Sequence, residues 1–411
     1  MVQLLVIADD FTGALDTGVQ FSNQGAKTLV TTNKELDIHQ LDDDVEVLVI
    51  DSESRYLAPQ DAFQGMEKIL EAAKQAAIPF IYKKVDSALR GNISSEIGAL
   101  VAAFPGQSLP FVPAFPTIHR IVKNGHLYID GVLVSESAFA KDPYEPVLES
   151  DIAKRLKEEA GLESQLLSPG QSIETKKNVL LFDSQTHENL IQIAQDLEGA
   201  DLLSVSIGCA GFAKVLAQRL FSKREAREQK LIAPLLVICG SVNEVTQKQV
   251  AFIEKNGGCR VSLSAEQLME QDYWQSGSGQ TFLEEQLSKG KNKVMVFETM
   301  NPYTFAGFER LKEDQKFSSS EIRFQIGRSL GQLAQAILAT EKNFTVLFTG
   351  GDTLYQSMQV LGVTDIRPVA ELESGVVLAE LSLGGEVIQV ITKSGGFGQE
   401  SLFADLQAMS K

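Results

Sequence analysis

Short apolar runs alternate with helical patterns through the first half of the chain. The runs at 3–8, 26–32, 46–50, 79–85, 110–114, 178–183 and 202–207 predict strands. The stretches at 13–24, 59–77, 92–104, 186–197 and 210–222 predict helices between them. Strand, helix, strand in this rhythm predicts a doubly wound, mostly parallel sheet. One interruption, Leu127-Tyr128-Ile129, Asp130-Gly131, Val132-Leu133-Val134, predicts a hairpin on an Asp-Gly turn that decorates the sheet rather than extending it.

The stretch Ser222 to Lys230 is almost wholly polar, which predicts a linker and two α/β domains, 1–225 and 232–411. After it come strands at Pro234 to Cys239, 259–264, 293–297 and 344–349, a helix starting near Glu244 and a long helix at 319–340. Two apolar runs flanking Gly384-Gly385 near the end predict a hairpin, and so a mixed sheet in the second domain. A length of 411 residues also favours two cores over one.

The polar residues that punctuate this pattern carry the chemistry. The first strand runs into Asp9-Asp10 before Phe11-Thr12-Gly13-Ala14 opens a helix, the way an open α/β sheet presents a site at its strand tips. Adjacent acids cannot both face one side of an extended chain, so one suits a ligand and the other the framework. A second loop, Lys83-Lys84-Val85-Asp86-Ser87-Ala88-Leu89-Arg90, is cationic and follows a strand, which predicts an anionic ligand. Arg90 can clamp a carboxylate with two hydrogen bonds, Arg55 adds a weaker charge, and Asp86 can take a proton from a hydroxyl. In the second domain, Gly240-Ser241, Gly350-Gly351-Asp352-Thr353 and Ser394-Gly395-Gly396 each follow a strand, leaving backbone N–H groups free to approach phosphates. Neither the Walker A spacing nor the Rossmann G-x-G-x-x-G occurs.

Composition narrows the partners. A net charge of −17 argues against nucleic acid. No apolar run approaches the roughly 20 residues of a membrane span, and the first residues lack the basic region of a signal peptide, so a cytoplasmic location is expected. Cys209, Cys239 and Cys259 have neither disulfide nor zinc spacing. The sequence leaves a homo-oligomer open.

The motifs Ala8-Asp9-Asp10-Phe11-Thr12-Gly13-Ala14, Lys84-Val85-Asp86-Ser87 through Asn92, Pro113-Ala114-Phe115-Pro116, Gly240-Ser241, Gly350-Gly351-Asp352-Thr353 and Lys393-Ser394-Gly395-Gly396-Phe397-Gly398 together resemble the four-carbon acid sugar kinases over nearly the whole chain. The resemblance implies an acid-sugar domain followed by an ATP domain, and phosphorylation of a tetronate at its C4 hydroxyl. It implies substrate contacts at Asp10, Arg55 and Lys83 to Ser87 with Arg90, and proton transfer to Asp86 or Asp10. ATP contacts are implied at Ser241, Gly350 to Thr353 and Ser394 to Gly396, with Mg²⁺ on Asp352. Asp16 to Gln20 look more like the threonate and erythronate kinases than the oxo-tetronate kinases. Ala88, where the family has Thr, and Ile118-His119 before Arg120 depart from the pattern in the substrate half. Two other classes fit a two-domain α/β chain: an NAD(P)-dependent acid-sugar dehydrogenase, against which the missing dinucleotide fingerprint counts, and a non-catalytic sugar-acid sensor.

Overall fold

The computed structural model describes residues 1–142, 145–174, 177–224, 230–313, 317–340 and 344–410; the side chains of 312, 313, 319, 320 and 352 are outside the described set. The chain divides into two compact units, Met1–Ala226 and Arg227–Lys411. Part of the polar stretch expected to link them, 225–229, lies outside the described residues.

The first unit begins β1 (Leu4–Ala8), α1 (Phe11–Ser22), β2 (Thr28–Thr31), β3 (Val47–Asp51), α2 (Pro59–Gln75), β4 (Phe80–Lys84) and α3 (Ile93–Ala103). It continues with β5 (Leu109–Val112), the short strands β6 (Arg120–Lys123), β7 (His126–Ile129) and β8 (Val132–Leu133), then α4 (Ile152–Ala160) and β9 (Ser164–Leu167). It ends with β10 (Val179–Phe182), α5 (His187–Gly199), β11 (Val205–Gly208) and α6 (Ala210–Leu220). The main strands lie in the order β2-β3-β1-β4-β11-β5-β10-β9, all parallel. Covered on both faces, the central strands are buried throughout, which is why they read as unbroken apolar runs. The helices need only one apolar stripe: α2 starts on Pro59 and buries Ala62, Met66, Ile69, Leu70 and Ala73.

From β1 the chain builds β2 and β3 on one side of the sheet and β4 onward on the other. The crevice beyond the tips of β1 and β4 is therefore the switch point where open α/β sheets bind ligands. Register brings the tips level, with Ala8 paired to both Asp51 and Lys84, and Lys84 to Gly208. The expected hairpin forms on Asp130 and Gly131, both with positive φ, as a type I′ turn demands. With β6 it makes a separate three-stranded sheet.

The second unit comprises β12 (Leu235–Cys239), α7 (Glu244–Lys255), β13 (Cys259–Ser262), α8 (Ala265–Met269), α9 (Gly277–Lys289) and β14 (Met295–Glu298). There follow α10 (Pro302–Glu313), α11 (Ser319–Thr340), β15 (Thr345–Thr349), α12 (Gly351–Leu361), β16 (Asp365–Glu373), β17 (Val376–Leu383), β18 (Glu386–Lys393) and α13 (Leu402–Met409). Its sheet runs β13-β14-β12-β15-β18-β17-β16. The first five strands are parallel, and β17 is antiparallel to both neighbours, making the expected mixed sheet. Val237, Cys239, Leu347, Leu378, Ile391 and Phe403 belong to its core, with Cys239 a buried small hydrophobe. Among the described residues no helix is long and apolar enough to cross a membrane.

Candidate active site

At the switch point of the first unit, Asp9 and Asp10 follow β1 and differ in their surroundings. Asp10 is the N-cap of α1, its Oδ1 accepting from the Gly13 N–H at 3.0 Å. Asp9 is buried and receives Arg55, whose Nε and Nη2 donate to Oδ2 at 2.9 and 2.7 Å. The same Nη2 lies 2.9 Å from Asp10 Oδ1 and 3.8 Å from Asp86 Oδ1, so one guanidinium gathers three carboxylates. Lys84 Nζ approaches the other oxygen of Asp9 at 3.6 Å.

Asp86, after β4, faces a denser set of donors. Arg90 holds it with two prongs, Nε to Oδ2 at 2.8 Å and Nη2 to Oδ1 at 3.1 Å, and the N–H groups of Ala88 and Arg90 donate to Oδ2 at 3.3 and 3.2 Å. Arg90 Nη1 reaches Asp142 at 3.3 Å. On the opposite face of β4, the fully buried Lys83 pairs with Glu96 of α3 at 2.8 Å, and Ser54 donates to the same Glu96 oxygen at 2.5 Å. Arg120, at the start of β6, donates to Ser87 Oγ and stacks on Phe139, its guanidinium carbon 5.1 Å from the ring centre.

Burial would raise the carboxyl pKa values here, but the cations prevail. Against its desolvation, Asp86 is held well below the usual range by Arg55 and Arg90, and Asp9 is lowered by Arg55 and Lys84. Burial would lower Lys84, yet Asp9 and Asp10 raise it, and the same two acids with Asp86 raise Arg55. Asp51, the last residue of β3, is instead pushed well above its ordinary value by burial and by Glu53.

In the second unit, β12, β15 and β18 are neighbours, and Cys239 pairs with Thr349 and Thr349 with Lys393. The three glycine-containing loops therefore leave the sheet side by side. A Cβ on Gly240 would stand 2.1 Å from Thr353 Oγ1, and one on Gly395 2.5 Å from Ser241 Oγ, so this packing requires glycine. Gly350 takes a φ of 94° as it turns into α12. Among the described residues, the N–H groups of Ser241, Gly351, Thr353, Gly395 and Gly396 have no acceptor in the protein. Two of them open α12, where the helix dipole adds to the attraction for an anion. Beneath the loops, Lys393 is buried and donates to Gly395 O, Thr246 Oγ1 and Ser394 O at 3.0, 3.1 and 3.2 Å. Thr246 Oγ1 donates in turn to Gly395 O at 2.8 Å. With only neutral acceptors around it, burial drives Lys393 down to about 8.

Several expected roles change on this geometry. Lys83 does not join the substrate contacts, because alternation along β4 turns it to Glu96, on the face away from Lys84. Val85 is buried, and its N–H donates to Gly208 O. Arg55 stands at the centre of the acids rather than at their edge. Arg90, expected as a free carboxylate clamp, is already committed to Asp86 and Asp142. Ser241, Gly350, Gly351, Thr353, Ser394, Gly395 and Gly396 all belong to the three adjoining loops, whereas the Asp352 side chain lies outside the described residues. Among the described residues no cluster of three or more His, Cys, Asp or Glu could hold a metal. Sequence reading did not single out Ser54, Glu96, Arg120, Asp142, Thr246 and Lys393, which the structure brings into contact with the expected residues or their neighbours. Of these only Lys393 lay inside a quoted motif, and Arg120 directly after the departure at Ile118-His119.

Two family models cover the chain: a sugar-binding N-terminal domain over residues 4–216 and a nucleotide-binding C-terminal domain over 236–403. The D-threonate kinase of Salmonella typhimurium is 28% identical over 98% of this chain and 97% of its own. The 3-oxo-tetronate kinase of Pseudomonas savastanoi pv. phaseolicola is 26% identical over 97% and 95%. The crystal structure of a Haemophilus influenzae protein of the DUF1537 family matches with a TM-score of 0.75, at 23% identity over 98% of this chain and 99% of that one, a likeness of fold. The chain belongs to the four-carbon acid sugar kinase family and is a phosphotransferase with a hydroxyl group as acceptor, built from a sugar-binding N-terminal and a nucleotide-binding C-terminal domain.

Proposed function

We propose that this kinase transfers the γ-phosphoryl group of ATP to the C4 hydroxyl of a four-carbon sugar acid, D-threonate or D-erythronate. The reading rests chiefly on the Asp9, Asp10, Asp86 and Arg55 constellation at the switch point of the first unit, a polar site that can both bind a polyhydroxy acid and take a proton. The C4 oxygen forms a bond to phosphorus as the bond from phosphorus to the β,γ-bridging oxygen breaks, and the hydroxyl proton passes to a carboxylate. Asp10 takes this proton. Its side chain is 22% exposed against 9% for Asp86, and Asp86 has its oxygens occupied by Arg90 and backbone N–H groups. Lys84 and Ser87 order the substrate around it, and Arg90 sets Asp86.

The unused N–H groups of Ser241, Gly351, Thr353, Gly395 and Gly396 suit the phosphates of ATP, with Lys393 adding positive charge below. Mg²⁺ would be carried mainly by those phosphates, as this ion usually is, with Asp352 the ligand expected from the sequence. It would supply charge neutralisation.

The test is ADP release from ATP and Mg²⁺ with D-threonate, D-erythronate, 3-oxo-tetronate and 2-oxo-tetronate, followed by phosphorus NMR of the product. The expected outcome is a 4-phosphate from a hydroxy acid. Turnover of an oxo acid alone would reassign the substrate, and no ADP release with any of the four would overturn the reading.

A further inference from the structure

Within the first-unit site, almost every cation already has an acid. Arg55 serves Asp9 and Asp10, Lys84 lies 3.6 Å from Asp9, Lys83 is paired with Glu96, and Arg90 is shared between Asp86 and Asp142. Arg120 is the exception. Among the described residues no carboxylate lies at ion-pair distance from it, and its one side-chain hydrogen bond runs from Nη1 to Ser87 Oγ. Nε and Nη2 are left without a partner and are not sealed from solvent. A half-buried guanidinium with an open edge is a poor framework element, because the nearby Asp86, already held by Arg90, does not make good the cost of its desolvation.

Its position is nevertheless fixed. The N–H of Phe115 donates to Arg120 O at 2.7 Å, and the N–H of Arg120 to Phe115 O at 3.2 Å, tying β6 to the loop that leaves β5. Phe139 holds Arg90 and Arg120 together, their guanidinium carbons 5.2 and 5.1 Å from its ring centre. The hydrogen bond to Ser87 places Arg120 beside the loop that carries Asp86. The three-stranded sheet thus delivers to the sugar-acid site one oriented guanidinium that no described carboxylate meets at ion-pair distance.

We infer that Arg120 is the residue that recognises the substrate's carboxylate, and so determines specificity for an acid over a neutral polyol. The inference rests on the sugar-acid kinase reading and deepens it. A planar carboxylate matches the fork formed by the two unused nitrogens, which a lysine ammonium would meet only as a point charge. Arg90, bound on both sides by acids, then serves to set Asp86.

The experiment compares D-threonate with its neutral amide, D-threonamide, on the wild-type chain, Arg120→Met and Arg120→Lys, by calorimetric binding and by steady-state kinetics. Wild type should prefer the acid. In Arg120→Met the acid should lose about 10- to 100-fold in affinity and in kcat/KM, mostly through KM, while the amide and ATP change little. Arg120→Lys should recover part of the loss. If Arg120 merely braced Ser87, acid and amide would weaken together; an unchanged acid-to-amide ratio in Arg120→Met, with a wild-type melting temperature, overturns the inference and leaves the kinase reading standing. Acid-selective binding without turnover in wild type would do the reverse, and no binding of the acid to wild type would overturn both.

Discussion

Asp10 and Asp86 carry the same functional group a few ångströms from the same guanidinium, yet their surroundings give them different work. Replacing Asp10 with Asn should lower kcat by about 10²- to 10⁴-fold with little change in KM, because an amide cannot accept the hydroxyl proton. Asp86→Asn should act first on stability. It removes one of the two acids on Arg90, leaving Asp142, and should cost about 1.5–3 kcal/mol, the usual worth of hydrogen bonds to a charged group. The pH dependence has a definite sign. Asp86 is held well below its ordinary 3.8, so its contribution is complete above about pH 4 and fades as the pH falls through the lower folded value. Denaturation of wild type and Asp86→Asn should therefore differ most near neutrality and converge in acid; a gap that widened in acid would contradict the assignment. The sequence announced these two acids because they interrupt apolar strands. It could not announce their partners. Arg55 meets Asp9 across 46 residues of chain, and Arg90 meets Asp142 across 52, contacts that only the sheet order creates.

Strands buried on both faces were legible at the level of elements, since β1, β3, β4 and β12 read as apolar runs and the turns between them as polar punctuation. Less regular elements were not. β9, Ser164-Gln165-Leu166-Leu167, alternates and exposes Leu166, and β16 carries Pro368 and two irregularities in its pairing with β17. The last parallel strand, β18, shows how an element boundary can carry chemistry. Lys393 ends it, paired in register with Thr349, and from there its ammonium reaches back to the carbonyls of the glycine loop. Because burial lowers it to about 8, Lys393 titrates near physiological pH, whereas the nearby Cys239 thiol, pushed up to about 11 by burial, stays neutral there. ADP affinity should accordingly fall as the pH rises through about 8, and in Lys393→Met it should be weaker and flat across that range. Folding stability should move the other way. Between about pH 8 and the unfolded value of 10.5 the unfolded chain holds the proton more tightly, so stability contributed at this site rises with pH. Calorimetric ADP titrations on both proteins at several pH values decide it; a parallel decline in Lys393→Met would remove Lys393 from the site.

At the scale of the whole molecule, a chain of net charge −17 binds two anions, which is possible because each unit concentrates attraction locally. The means differ. On the proposed reading the first unit uses side-chain cations balanced by acids, while the second uses backbone N–H groups. Each unit is compact by itself, so damage to one site need not reach the other. Gly395→Val tests this division. The new Cβ would meet Ser241 Oγ at 2.5 Å and Asn243 Cβ at 3.3 Å, pushing the loop into the space the phosphates require. The clash lies in a loop at the edge of the fold rather than in its core, so the variant should remain folded while its ADP affinity drops by at least about tenfold. D-Threonate should still bind with near wild-type affinity and still raise the melting temperature, since a ligand stabilises whatever native site it occupies. The measurement is a pair of calorimetric titrations, ADP and D-threonate, on the folded variant. Unchanged ADP binding would remove Gly395 from the nucleotide site, and joint loss of both ligands from a folded protein would show that the two halves do not divide the substrates as proposed.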